Sequence, residues 1–279
     1  MSRTPRCLPA LLAAVLLPAT AGAQANAQDL STARALAMGD AFRAVASSNE
    51  AIYFNLAGMA LSPRYEVDLT YGHNGAFDLD QYNVSIVDGL STATSTGLAY
   101  TRMVGDDRNG HAVHLGFAVA LADRAALGFG FKYLNFSDPE DTNAITGDLG
   151  LLLQPADLFT VGIAAYNLID VHSVDAPRRA AIGAAFGSDR SFRLASDVVF
   201  DFSGDDPQAS YHAGAEYLLA GAFPLRAGYK HLEATGANYV SAGLGFVSPA
   251  VGLEAAWVQN VGEGRSDDRT LAFNFKFFL

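Results

Sequence analysis

One cysteine, one tryptophan and a charged fraction of only 17% are the scarcities in this chain of 279 residues. The lone Cys7 lies before an apolar run from Leu8 to Leu17, so the remainder can form no disulfide. Such a chain, if exported, must be held by its own hydrogen bonding and packing. Long apolar runs are also missing. No stretch after the first run approaches the roughly 18 uninterrupted apolar residues needed by a spanning helix, which excludes a helical membrane protein. There is no CxxC, HExxH, Walker or EF-hand pattern, so no metal, nucleotide or other cofactor is expected. The formal net charge is −11, which argues against nucleic acid or an anionic lipid surface as a partner.

Arg3 and Arg6 precede the first apolar run, and small residues follow it through Ala27. This arrangement reads as a secretory signal peptide over residues 1–27. Cys7 precedes the apolar run and is misplaced for lipid attachment at a cleavage site. It leaves with the signal.

At the other end, Leu271, Phe273, Phe275, Phe277 and Leu279 alternate with small or polar residues. A period of two marks a strand. A chain that stops on a strand with an almost wholly aromatic apolar face is typical of bacterial outer-membrane barrels. The segment resembles the signal read by the barrel-assembly machinery. The competing reading is an ordinary core strand. A mean hydropathy of +0.16 suits a barrel, which hides its hydrophobicity by alternation.

From Tyr65 onward the same period recurs between Gly, Asp, Asn, Pro and Ser clusters. It predicts 14 strands near 65–73, 80–88, 94–102, 111–121, 124–136, 144–153, 157–167, 177–186, 191–203, 208–219, 222–230, 237–247, 249–260 and 268–279. Leu127, Phe129, Phe131 and Tyr133 oppose Ala126, Gly128, Gly130 and Lys132. In the same way Val251, Leu253, Ala255 and Trp257 oppose Gly252, Glu254 and Ala256. A face of Gly and Ala with scattered charges suits a lumen better than a solvated sheet face. Links after odd strands are longer than most links after even strands, as expected of an outer-membrane barrel with both ends in the periplasm. The fold class expected is therefore all-β, a single transmembrane antiparallel barrel over residues 64–279.

Residues 28–63 do not alternate. Ser47 with Glu50 reads as a capping box opening a short helix, and Gly58 is suited to closing it. The segment is too apolar for a linker. A barrel of 14 strands lined by Gly and Ala has room for it as a plug.

Ala33-Arg-Ala-Leu-Ala-Met-Gly-Asp-Ala-Phe-Arg-Ala-Val-Ala46, then Ala51-Ile-Tyr-Phe-Asn-Leu-Ala-Gly-Met-Ala60, resembles the N-terminal signature of the FadL-like outer-membrane proteins, including the PorV/PorQ branch. The match covers about 30 residues in detail; Leu56 stands where the signature has proline, and the loops are shorter than in the fatty-acid transporters. The resemblance implies a bacterial outer-membrane location and uptake of hydrophobic small molecules such as long-chain fatty acids or aromatics past the plug. The alternative it leaves open is a carrier or component of a protein secretion system, or a scaffold barrel.

Phe42, Ile52, Tyr53, Phe54, Asn55 and Met59 are the candidates for a pocket beside the plug; packing of the plug against the wall is their commoner use. Alternation points Glu66, Asp68, His114, Lys132, Asp148, Arg193, Asp197, His212, Glu216, Arg226, Lys230 and Glu254 into the lumen. There they are expected to pair across the barrel or with the plug residues Arg34, Asp40, Arg43 and Glu50. A polar conduction path is the other use of such charges. His73, His111, His172 and His231 lie at rim heights, but no Ser/His/acid spacing accompanies them, and no enzyme is expected. The partners expected are outer-membrane lipid, the barrel-assembly machinery and a hydrophobic ligand.

Overall fold

The computed structural model describes residues 32–105, 108–137, 141–173, 176–204 and 206–279. The expected signal peptide lies outside them. Among the described residues three short helices, α1 (Ala33–Ala37), α2 (Ser48–Phe54) and α3 (Gly58–Leu61), precede fourteen strands. The strands are β1 (Tyr65–Asn74), β2 (Leu79–Asp88), β3 (Thr94–Val104), β4 (Asn109–Ala122), β5 (Ala125–Phe136), β6 (Thr142–Ala156) and β7 (Phe159–Tyr166). They continue as β8 (Arg179–Gly187), β9 (Phe192–Asp201), β10 (Gln208–Leu219), β11 (Phe223–Leu232), β12 (Ala237–Val247), β13 (Val251–Asn260) and β14 (Arg269–Phe278). Each strand pairs antiparallel with its sequence neighbours, and β14 closes on β1. Leu69 faces Phe275 and Tyr71 faces Phe273 across that seam, and the Leu279 N–H donates to the Tyr65 carbonyl at 2.9 Å. Closure leaves no sheet edge unpaired.

The alternation of large and small residues sets which face is which. On β5, Leu127, Phe129 and Phe131 are 40–51% exposed on the outside, whereas Gly128 and Gly130 face plug atoms within. Phe117 stacks on Phe129 at 5.3 Å between ring centres, extending the apolar belt across strands. The links after odd strands form the upper rim. Those after even strands form the lower rim, where the chain enters β1. The longest upper link runs from 167 to 178, and the lower rim includes two-residue turns at 123–124 and 157–158. The link over 89–93 departs from the expected shortness; Asp88 there accepts the Leu90 and Ser91 amides at 3.0 and 2.9 Å.

Residues 32–61 occupy the lumen, with Ala33, Ala35, Met38, Phe42, Ala51, Ile52 and Met59 buried. Small wall residues admit them. At Gly228 a Cβ would collide with the backbone of Met38 and Gly39, and at Gly128 with that of Leu56 and Ala57. The helix ends differ from the sequence expectation. Ser47 is the N-cap of α2, but its side chain makes no capping bond, and the Glu50 side chain pairs with Arg34 and Lys276 instead of turning back to the cap. Gly58 does not close α2; Asn55 is its C-cap, and Gly58 opens α3 where the Ala46 carbonyl leaves no space for a Cβ.

Candidate functional site

The plug and the polar wall groups facing it form one site, held at three places. The first is the tight turn after α1. Gly39 and Asp40 both take left-handed backbone, at φ 62° and 59°, a conformation that strains a non-glycine residue unless its surroundings hold it. In this turn the Gly39 N–H donates to Ser241 Oγ at 3.1 Å, and Ser241 Oγ donates to the Ala37 carbonyl at 3.0 Å. Lys230 Nζ donates to Asp40 Oδ2 at 2.9 Å. Burial pushes the Asp40 carboxyl up, but the Lys230 ammonium outweighs it and leaves the group below the usual carboxylate range.

The second place is Asp197, whose side chain has no solvent exposure. Its Oδ2 accepts the Phe42 and Arg43 amides at 2.6 and 2.9 Å and lies 3.4 Å from Arg43 Nη1. Arg43 also donates to the Asp40 carbonyl at 2.5 Å and to the Tyr166 hydroxyl at 3.2 Å. The third place is an ionic chain at the lower end. Arg34 donates twice to Glu216, both at 2.9 Å, and to Glu50 at 3.1 Å. Arg226 joins Glu216 at 2.6 Å to Glu254 at 2.7 Å, and Lys276 joins Glu254 at 3.1 Å to Glu50. Buried charges persist where paired and hydrogen-bonded, and these pairs tie the plug to β10, β11, β13 and β14.

The apolar candidates are packed among themselves. Phe42 and Phe54 meet at 5.3 Å, with Arg34 over the first ring at 5.2 Å and Arg43 over the second at 5.1 Å. Ile52 and Met59 lie against the wall at Gly97. Tyr53 stands edge-on to His114 at 5.4 Å and accepts from Asn83 at 2.7 Å; burial pushes its hydroxyl up, so it stays protonated. Asn55 donates to the Arg43 and Leu151 carbonyls at 2.9 and 3.0 Å, and its Oδ1 receives the Ala57 amide at 3.3 Å. It holds the turn in which Leu56 replaces proline. Leu56 itself fills the bay opposite Gly116 and Gly130.

Chambers remain above and below the plug. An upper one of about 260 Å³ is bordered by Leu36, Phe77, Leu79, Leu232, Tyr239 and Val258, with Asp40, His73 and Lys230 among its polar groups. Beside it a space of about 110 Å³ is bordered by Phe54, Arg43 and His212. Below the plug lies a polar chamber of about 290 Å³. A larger groove of about 870 Å³ lies on the outer face, among Leu69, Tyr71, Val84, Phe246, Leu253 and Phe273.

The sequence matches no protein-family profile and no curated protein. The three-dimensional fold does have counterparts. It superposes on the CymD monoaromatic hydrocarbon channel with a TM-score of 0.68 at 12% identity, over 89% of this chain and 97% of that one. A Pseudomonas aeruginosa FadL homologue gives 0.67 at 10% identity, over 88% and 98%. The fold is that of a FadL-like barrel. The Ralstonia pickettii toluene transporter TbuX gives 0.64 at 10% identity, over 89% and 98%.

Within this FadL-like barrel, the remaining lumen candidates serve the wall. Lys132 pairs with Asp148 at 2.9 Å, and Asp148 also accepts the Asn167 amide at 2.9 Å. Glu66 and Asp68 are buried on β1 beside β14, with Asp68 3.9 Å from Lys276. His114 is buried, and its Nδ1 has no hydrogen-bond partner among the described residues. The rim histidines do not converge. His73 contacts Asp80 at 3.0 Å and His231 contacts Asn238 at 2.9 Å.

Besides Ser241 and Asn83, four further residues outside the sequence candidates matter to the site. Lys276 and Asn274 sit on the inward face of β14. The Ala33 amide donates to Asn274 at 2.6 Å, and Tyr166 joins Arg43 to the Phe54 carbonyl at 2.5 Å. The alternation of the last strand marks its inward positions, but its aromatic outer face is the stronger signal. Ser210, the fourth, has its Oγ 3.1 Å from His212 Nε2. The Gly39 carbonyl, 2.8 Å from His212 Nδ1, can only accept, so Nδ1 carries the proton and Nε2 receives the Ser210 hydroxyl. With a plug carbonyl where a catalytic triad has an acid, the pair braces the Gly39 turn.

Proposed function

We propose that this chain is a bacterial outer-membrane barrel that takes up small hydrophobic compounds, of the size of one aromatic ring with short substituents, past a displaceable plug. The observation that carries this reading is the upper chamber of about 260 Å³, largely apolar in its border and floored by the plug. A dry apolar cavity of roughly 150 Å³ holds benzene, so the chamber suits one ring and is small for a long acyl chain. The names of TbuX, CymD and the Pseudomonas putida transporter TodX, as toluene transporters or a monoaromatic hydrocarbon channel, favour the same size class. Capture is driven by burial of apolar area at roughly 25 cal/mol per Å², and passage requires the plug to move. Membrane lipid covers the apolar belt and the outer groove. The apolar face of β14, Leu271, Phe273, Phe275 and Phe277, together with the following Leu279, is what the barrel-assembly machinery reads.

The test is flux of toluene into proteoliposomes carrying the barrel, paired with ion conductance in planar bilayers. Saturable toluene entry with low resting conductance supports the reading. Entry no faster than in protein-free vesicles, with a silent bilayer, would overturn it and favour the secretion-carrier or scaffold role. Removal of residues 28–62 should open a steady pore.

A further inference from the structure

The lower chamber carries cations that the plug does not consume. Three guanidinium groups gather around Glu216. Its oxygens are taken by Arg34, at 2.9 Å twice, and by Arg226 at 2.6 Å. Arg193 is the residue paired with Glu216 across the β9–β10 ladder, yet its side chain makes no hydrogen bond or ion pair with any described residue. Arg226 has only 3% of its side chain exposed, and its Nη1 has no hydrogen-bond partner among the described residues. Both residues border the same chamber of about 290 Å³.

The other charges there are mostly committed. Glu50 and Glu254 are shared by Arg34, Arg226 and Lys276, and Arg64 lies over the Phe278 ring at 5.9 Å. Asp189, four residues before Arg193 in the chain, and Glu66 are the other carboxylates bordering the same chamber. The Arg193 guanidinium, with unused donors at a space that holds a small molecule and the buried Arg226 behind it, forms a receptor for a planar or tetrahedral oxyanion, because the guanidinium fork matches carboxylate and phosphate geometry.

We propose that the lower chamber is an anion site in which Arg193, assisted by Arg226, binds the carboxylate or phosphate group of a small molecule entering from the lower rim. The site is separate from the apolar upper chamber and does not depend on hydrophobic uptake. Its ligand is an anionic solute on the side from which the plug enters, or the acidic end of an amphipathic molecule.

Binding is measured on the full-length barrel in detergent micelles by titration calorimetry, with sodium benzoate and sodium phosphate as probes at low ionic strength. The wild-type chain should give saturable binding to at least one probe. Arg193→Gln should weaken it roughly 10- to 100-fold, the range for lost charge-assisted hydrogen bonds, with thermal unfolding unchanged since the Arg193 side chain has no bonded partner to lose. Asp189→Asn should tighten binding severalfold by removing a competing carboxylate. Tighter binding of benzoate assigns the site to amphipathic acids, and tighter binding of phosphate assigns it to phosphorylated solutes. No saturable heat with either anion, or equal affinity in Arg193→Gln and wild type, overturns the proposal. No flux enters the measurement, so a failure of toluene uptake would leave the result standing.

Discussion

Asp197 is where the plug is most exposed to a single change. Replacing it with alanine removes the acceptor of the Phe42 and Arg43 amides and a carboxylate 3.4 Å from the Arg43 guanidinium. The Asp197 side chain is fully buried, so water does not take its place without rearrangement. Breaking a buried pair by removing one partner costs about 3–5 kcal/mol. Arg43 keeps its bonds to the Asp40 carbonyl and Tyr166, which places the expected loss near the lower end, about 3 kcal/mol. At 1.4 kcal/mol per tenfold, that is roughly a hundredfold rise in the open population of the turn. Hydrogen exchange read by mass spectrometry over residues 38–46 should accelerate by that factor, while β3 to β5 stay protected. The matched control is Asp157→Ala, which removes the rim partner of Arg124, a pair 53% and 84% exposed; such pairs contribute at most about 1 kcal/mol. If the turn of Asp197→Ala exchanges as slowly as wild type, the plug is held by packing alone and the buried charges do not clamp it.

Other perturbations address the rest of the site. Gly228→Val places a side chain where the Met38–Gly39 backbone passes, and should expel the turn and raise resting bilayer conductance. Asn55→Ala leaves the Arg43 and Leu151 carbonyls without that donor, and should lower thermal stability by about 1–3 kcal/mol. The Asp40 carboxyl, held below its ordinary range, contributes stability above its unfolded value of about 3.9 and loses it as pH falls through the lower folded value. The turn should therefore stay closed through neutral and mildly acidic pH and open only in strong acid. In Lys230→Met, exchange over residues 38–42 should speed up at higher pH than in wild type, and an unchanged profile would refute the clamp.

The barrel is legible in the sequence because its physics is periodic. Alternation of Phe and Leu with Gly and Ala locates each strand and its two faces, and the faces in turn locate the inward charges. Partners are not legible. Glu216 and Arg226 share a face by spacing, but nothing local indicates that Arg34, 182 residues away, takes two of the bonds to Glu216. The Ser47 and Glu50 spacing reads as a local cap, and the lumen overrides it because a buried carboxylate gains more from Arg34 and Lys276 than from one amide. Lys276 is masked by the aromatic residues on either side, and Tyr166 by lying at the end of an unremarkable strand.

The bonds from the plug to the last strand bear on how the chain folds. Ala33 meets Asn274 across 241 residues and Glu50 meets Lys276 across 226. These contacts come into being only when β14 is in place beside β1. The fastening of the lower part of the amino-terminal segment and completion of the cylinder are thereby one late event, and pairings so distant along the chain are slow to form. The first helix waits on nearly the last residues for part of its hold, so a chain interrupted before β14 lacks both a closed wall and one fastening of its stopper.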